Sequence, residues 1–246
     1  MMEQVRISKI LSELGLCSRR EADEYIKQGL VLLDGKVINE LGTKAYRSQK
    51  IELNKKAKLK QSKKLTILLN KPVGYISHLD DDKEFKPASD LIISDNYFSQ
   101  ELNERNPLFN KEGLAPAGRL DIDSTGLLIL TQDGTIAKKI IGENVVVEKE
   151  YLVKVQGNLS NQDLILLNHG LTLDGYKLKP AKVTWQNENQ LKFILTEGRN
   201  RQIRKMCAMV NLKVTSLKRV RIGDISLGNL PLGQWRFLNS NQSTNF

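Results

Sequence analysis

Gly118–Gly134, GRLDIDSTGLLILTQDG, is the stretch on which the reading of this chain turns. Leu127 to Leu130 form an unbroken apolar run between a Ser-Thr-Gly turn and the turn dipeptide Asp133-Gly134. A short apolar run bounded by turn signals predicts a strand buried on both faces. Arg119 and Asp121 stand just ahead of it. A charged loop anchored to a buried strand is a good platform for chemistry, because the rigid element fixes what the loop presents. Asp121 is the strand-leading carboxylate with an arginine two residues away.

Upstream, Leu65 to Leu69 (LTILL) predicts another strand, ended by the turn Asn70-Lys71-Pro72-Val73-Gly74. Lys71 lies at its end, where it can meet a phosphate or an acid; Val73 to Ser77 is expected to continue the sheet. The signal weakens over 79–115, which reads as surface elaboration with a short helix near Ala88 to Ile93.

Downstream, a helix is expected over Thr135 to Ile141. A strand follows at YLVKV, with Tyr151, Val153 and Val155 on one face. A helical turn at Leu164 to Leu167, a hairpin around Asp174-Gly175 and a strand at Leu191 to Leu195 come next. Ile203, Met206, Cys207 and Val210 are spaced as one face of a helix. Arg199, Arg201, Arg204 and Lys205 crowd the start of that helix. Val214 to Ile222 reads as a basic strand, with Lys218, Arg219 and Arg221, and Trp235 as a packing anchor. Strands with hairpin signals and few intervening helices predict an α+β domain over 65–240, with a mixed, largely antiparallel sheet flanked by helices. Residues 241–246 read as a polar tail.

The N-terminal part, 4–52, has a different pattern. Ile7, Ile10, Leu11 and Leu14 form one helical stripe, closed by Gly15. Ser18 and Glu21 form a capping box for a second helix with Ala22, Tyr25 and Ile26 on its apolar face. A hairpin turning at Asp34-Gly35 follows. Arg19 and Arg20 fall in the first turn of the second helix, where basic charge opposes the helix dipole. That cost suggests contact with RNA. The lysine-rich segment 53–64 reads as a solvated linker that could also track phosphates.

The 246 residues carry 38 basic and 28 acidic side chains, a net charge of +10. Such an excess points to a polyanionic partner, usually nucleic acid. Two cysteines, Cys17 and Cys207, lack CxxC spacing and fit a reducing compartment. His78 and His169 are scattered, so no metal cluster is legible. With no apolar run near 18 residues and no signal-peptide pattern at the start, a cytoplasmic protein is expected.

Several common sites are excluded. Gly29 to Lys36 misses a phosphate loop because Asp34 stands where its second glycine belongs. Neither GxGxxG nor a nucleophile elbow occurs. Asp121 and Asp123 resemble a glycosidase pair, but their separation in a turn is not set by sequence. What remains is a carboxylate among arginines, with Arg119 and Arg204 expected nearest. Adjacent arginines keep an Asp ionised, and an ionised Asp can attack carbon directly. Tyr151 supplies a ring for stacking and a hydroxyl for proton transfer.

GRLDIDSTGLLILTQDG, KEYLVKV and EGRNRQIRKM together resemble the three core motifs of the RsuA-type pseudouridine synthases, and NKPVG matches as well. RISKILSELGLCSRREADEYIKQGLVLLDGKVI resembles the S4 RNA-binding domain. PLGQWRFL is closer to the RluF-like large-subunit branch than to the small-subunit enzyme. The resemblance implies isomerisation of uridine to pseudouridine in ribosomal RNA, with no cofactor or metal. By it, Asp121 is the nucleophile, attacking either the base or ribose C1′. Tyr151 stacks on the base and takes the C5 proton, Arg204 holds Asp121 by a salt bridge, and Ile203 packs beside the ring. Arg119 displaces the target base. Arg201 and Lys71 are expected to bind substrate, and Ser18, Arg19, Arg20 and Lys27 the surrounding RNA. Asp123 is expected to be a turn residue. Large-subunit rRNA is the expected target, small-subunit rRNA the runner-up. A catalytically retired RNA-binding assembly factor is the competing class, opposed by the intact Asp121. Nothing in the sequence demands more than a monomer.

Overall fold

The computed structural model describes residues 3–77, 84–99, 109–142 and 145–238. His78, the stretch just after it and the polar tail lie outside these.

The N-terminal unit forms as its pattern dictates. Helices α1 (Ile7–Glu13) and α2 (Arg19–Lys27) pack on an antiparallel three-stranded sheet of β1 (Val31–Leu33), β2 (Lys36–Ile38) and β3 (Ile51–Leu53). The capping box is present in full: Glu21 N–H donates to Ser18 Oγ, and Ser18 N–H to the Glu21 carboxylate. Ile7, Ile10, Leu11, Ala22, Tyr25 and Ile26 are buried in one core, while Leu14, the fourth residue of the expected stripe, is exposed just past α1.

Segment 53–64 is not a solvated linker. It forms α3 (Lys55–Ser62), capped by Asn54, whose side chain accepts from Ala57 N–H at 2.9 Å. The lysines face outward and Ala57 is fully buried in the N-terminal core. Lysine is a good helix former when its charge can reach water, so a basic run need not stay unstructured.

The second unit is built on a nine-stranded sheet. Its main strands are β4 (Thr66–Lys71), β5 (Thr125–Thr131), β6 (Lys149–Gln156), β7 (Lys182–Asn187), β8 (Gln190–Leu195), β9 (Lys213–Ile222) and β10 (Trp235–Phe237). They lie side by side in the order β7-β8-β6-β9-β5-β4-β10. Within this row β5 and β9 run parallel and every other pair is antiparallel. Helices α4 (Gly134–Ile141), α5 (Asn161–Asn168) and α6 (Gln202–Met209) flank it. The mixed, mostly antiparallel α+β architecture is the one expected. Strand β7 had no sequence signal of its own: of its six residues only Val183 is buried, because it is an edge strand.

Strand β5 shows why its sequence is unbroken. Leu127 and Ile129 point into one core, with Ile140 of α4. Leu128 and Leu130 point into the opposite core, with Trp235, Ala88 and Ile92. A strand covered on both faces has no solvent side for alternation to mark. Burying each of these side chains contributes about 2 kcal/mol.

Val73 to Ser77 does not extend the sheet. Tyr75–Ile76 leaves it and pairs with Lys86–Pro87 in a separate two-stranded ribbon. Nor are the described parts of 79–115 mere surface elaboration. Ala88 and Ile92 are buried, and Tyr97 and Phe109 pack on Trp235 with ring centroids at 4.9 and 5.1 Å. Trp235 Nε1 donates to Ile93 O at 2.8 Å, so this segment roofs one face of the sheet. The short helix expected near Ala88 is a 3-10 turn over Ala88–Leu91.

The two units touch. Lys138 of α4 donates to the carbonyl and hydroxyl of Ser12 at 3.1 and 3.3 Å. Lys64 pairs with Glu21 across the junction. A methyl group added at Gly134 would lie 2.5 Å from Ser18 Cβ, so glycine lets α4 begin against α2. No helix among the described residues is long and apolar enough to cross a membrane.

Candidate active site

Asp121 sits in the loop leading into β5, on the wall of a cavity of about 360 Å³. The loop is pinned at almost every peptide. Ser77 Oγ donates to Leu120 O at 2.6 Å and accepts from Leu120 N–H at 2.8 Å. Gly74 N–H donates to Ile122 O, and Ser124 N–H to Asp121 O, at 2.9 and 3.0 Å. Arg219 Nη1 donates to Arg119 O at 3.0 Å and its Nε to Leu127 O at 2.8 Å. Arg204 Nη2 donates to Asp123 O at 2.9 Å. A carboxylate on such a loop is preorganised, since few backbone torsions remain free to move it.

Lys71 explains the upstream motif and corrects the expectation for it. Its side chain is fully buried and reaches no solvent-borne phosphate. Nζ donates to Pro72 O and Tyr75 O at 2.9 and 2.8 Å, cinching the turn whose Gly74 and Ser77 grip the Asp121 loop. Burial pushes Lys71 down to about 8 and Arg219 adds to the fall, against the pull of Asp121 and Asp123.

The arginines are arranged differently from the expectation. Arg204 is on Asp123, with Nε 3.2 Å from the carboxylate, and so is Arg201, whose Nη2 donates to the same oxygen at 2.9 Å. Among the described residues, neither arginine forms a salt bridge with Asp121. Asp123 is therefore no mere turn residue but the anchor between this loop and the start of α6. Burial works against its charge, but the Arg201 hydrogen bond and the two guanidinium charges hold its carboxyl below the usual range. Arg201 itself is in a left-handed conformation, φ 50°, just ahead of α6, a turn that aims its side chain at Asp123.

Tyr151, near the start of β6, is buried, pairs with Arg219 of β9 and faces the same cavity. Ile203 is buried and also lines the cavity, and Arg119 lines it but is exposed, with no partner for its side chain among the described residues. Asp121, Tyr151, Arg204, Ile203, Arg119 and Arg201 all line the cavity, whereas Lys71 lies behind it.

Sequence reasoning missed Arg219, which is buried and has Nη2 unpartnered among the described residues. Its neighbours Lys218 and Arg221 made it look like part of a solvated basic strand. In fact Arg221 is neutralised by Glu148 and Glu150 at 2.9 and 3.0 Å. Only the parallel contact with β5 brings Arg219 behind the loop. That contact needs Gly126, at φ +106°, because any Cβ there would overlap the Arg219 carbonyl. Lys149, at the head of β6, also lines the cavity and was missed as well; burial and the nearby Arg219 and Lys179 lower its pKa.

In the N-terminal unit, Arg19 and Arg20 are exposed and unpaired among the described residues. Ser18 is spent on the α2 cap and lies against Gly134, and Lys27 pairs with Glu24 at 2.8 Å, so neither is free as expected. Cys207 is fully buried, its thiol pushed up to about 12, as suits a packing residue.

Residues 64–209 match the family model of the RNA pseudouridylate synthases, and residues 5–45 match the S4 domain. The chain belongs to the RNA pseudouridylate synthase family. Among its relatives, the dual-specificity RNA pseudouridine synthase RluF of Escherichia coli K12 is 35% identical over 97% of this chain and 77% of its own length. The ribosomal large subunit pseudouridine synthase B of Bacillus subtilis is 36% identical over 95% and 91%. A crystal structure of a pseudouridylate synthase, 24% identical, covers 97% of both chains with a TM-score of 0.64, so the fold is shared throughout. In this pseudouridine synthase, the loop bearing Asp121 is thus held by hydrogen bonds from Gly74, Ser77, Arg204 and Arg219.

Proposed function

We propose that the protein converts a uridine of large-subunit ribosomal RNA to pseudouridine, acting as a cytoplasmic monomer without metal or cofactor. The observation that carries the reading is the cavity shared by Asp121, Tyr151, Ile203 and the exposed Arg119. The large-subunit target rests on the name of the Bacillus relative, which matches over nearly its whole length.

The proposed chemistry is that of the family, assigned to the residues that line the cavity. The target uridine leaves its stack at a cost of about a few kcal/mol, offset by contacts to the flipped base and flanking phosphates. Arg119 fills or forces the vacancy. The ring lies against Tyr151, with Ile203 beside it. The Asp121 carboxylate attacks the base or ribose C1′ as the C1′–N1 bond breaks. The uracil turns, C1′ bonds to C5 as the bond to Asp121 breaks and returns its carboxylate, the C5 proton passes to Tyr151 as its hydroxyl proton leaves to solvent, and N1 takes up a proton. Nothing is added or lost overall. Arg204 acts on Asp121 through Asp123, holding the loop. Residues 4–52 anchor surrounding RNA through Arg19 and Arg20, and 65–240 form the catalytic domain.

Mapping pseudouridine in both ribosomal RNAs, with and without the protein, tests the reading. One large-subunit site should appear with wild type and none with Asp121→Asn, whose RNA affinity should stay close to wild type. Modification by the Asp121→Asn protein would sink the assignment of the nucleophile.

A further inference from the structure

We propose that Tyr176 and Arg199 form a stacking subsite for an unpaired nucleobase next to the target uridine; this rests on the pseudouridine synthase reading and deepens it. Tyr176 lies on the hairpin of Thr172–Leu173 and Tyr176–Lys177, and the residue is 61% exposed. The Arg199 guanidinium sits over its ring, 4.6 Å from the centroid. Arg199 also lines the cavity that holds Asp121, so its guanidinium links that cavity to the exposed Tyr176 ring.

The pair is held rigidly from both sides. The Glu197 carboxylate accepts from Lys179 N–H and Gln202 Nε2 at 3.0 and 3.1 Å, with Arg199 Nε 3.7 Å away. Arg199 N–H in turn donates to Gln202 at 2.9 Å. Lys205 reaches from α6 to Asp174 in the hairpin turn at 2.6 Å. Lys177 and Lys179 follow Tyr176 in the chain, both exposed and neither in a salt bridge among the described residues, and Lys179 lines the cavity too.

A tyrosine recruited for packing would bury its ring, and Tyr176 joins none of the hydrophobic cores. An exposed aromatic face beside free cations is what single-stranded RNA uses: the base stacks and its phosphates meet the lysines. With Arg199 on one face, the ring is already fixed before RNA arrives, so less conformational freedom is lost on binding. The subsite is tolerant of base identity, because every base offers a π-face.

The test uses an RNA hairpin carrying the mapped uridine, and two variants with an abasic ribose on its 5′ or 3′ side. With wild-type protein, one abasic substitution should raise KM about tenfold. Tyr176→Ala should raise KM on the intact hairpin by a similar factor and make that abasic position nearly silent. Tyr176→Phe should restore the wild-type pattern, which separates stacking from a folding defect. A wild-type protein indifferent to both abasic positions, or a Tyr176→Ala protein that keeps the full abasic penalty, overturns the subsite alone. Failure of wild type to modify the intact hairpin would strike the enzymatic reading instead.

Discussion

Arg204 holds Asp123 twice, with Nη2 on its main-chain carbonyl at 2.9 Å and Nε 3.2 Å from its carboxylate. The nucleophile candidate Asp121 is two residues away on the same loop. Asp123 thus takes both Arg201 and Arg204, and the Asp121 carboxylate is left without a salt bridge among the described residues.

The two contacts should be separable by mutation. Asp123→Asn keeps the carbonyl that Arg204 grips, so kcat should fall only about tenfold. Arg204→Met loses both contacts, and kcat should fall about a hundredfold or more, with a smaller change in KM. Single-turnover pseudouridine formation measures both. Equal losses would mean that the carboxylate, not the main-chain contact, positions the loop.

Arg219 is predicted to be a positioning residue. Its fork bridges Arg119 O and Leu127 O, one on each side of Asp121. Arg219→Lys keeps the charge but not the two-pronged geometry. We expect kcat to drop at least tenfold with little change in KM, and a lowered thermal midpoint because a buried charge is left short of partners. Wild-type kcat in a folded Arg219→Lys protein would remove it from the site.

Lys71 should leave a signature in stability against pH. Its folded pKa, about 8, lies below the ordinary 10.5, so between those values the unfolded chain binds more protons. Stability attributable to this residue therefore rises with pH across that window and is flat below it. Relative to Lys71→Met, the wild type should gain about 2–3 kcal/mol between pH 7 and 10, read by urea unfolding. A pH-independent difference would mean that Lys71 holds its proton as firmly in the folded protein as in the unfolded chain.

Arg19 and Arg20 are the free cations of α2, since Lys27 is paired and Ser18 is committed to the cap. Arg19→Ala with Arg20→Ala should weaken RNA binding and reduce the slope of log K against log salt by about 1–2. Filter binding over a salt series provides the slope. An unchanged slope would place the phosphate contacts elsewhere.

Local pattern was enough to determine most elements of this protein. The Leu127–Leu130 run, the Ser18–Glu21 box and the Ile203 stripe each depend on neighbours within a few residues, and each formed as read. Tyr151 and Ile203 sit inside such elements and Asp121 in the loop leading into one, so the motifs that carry them could be recognised early. Where charged side chains go was not legible, because a charge chooses its partner across the fold. Arg204 turned to Asp123 and Lys71 went inside. Arg219 became a staple only because Gly126 lets β5 approach β9, and Lys55 to Ser62 became a helix because Ala57 had a core to enter. Sequence determined the strands, helices and loop that carry the chemistry; tertiary structure decided which cation holds which peptide around Asp121.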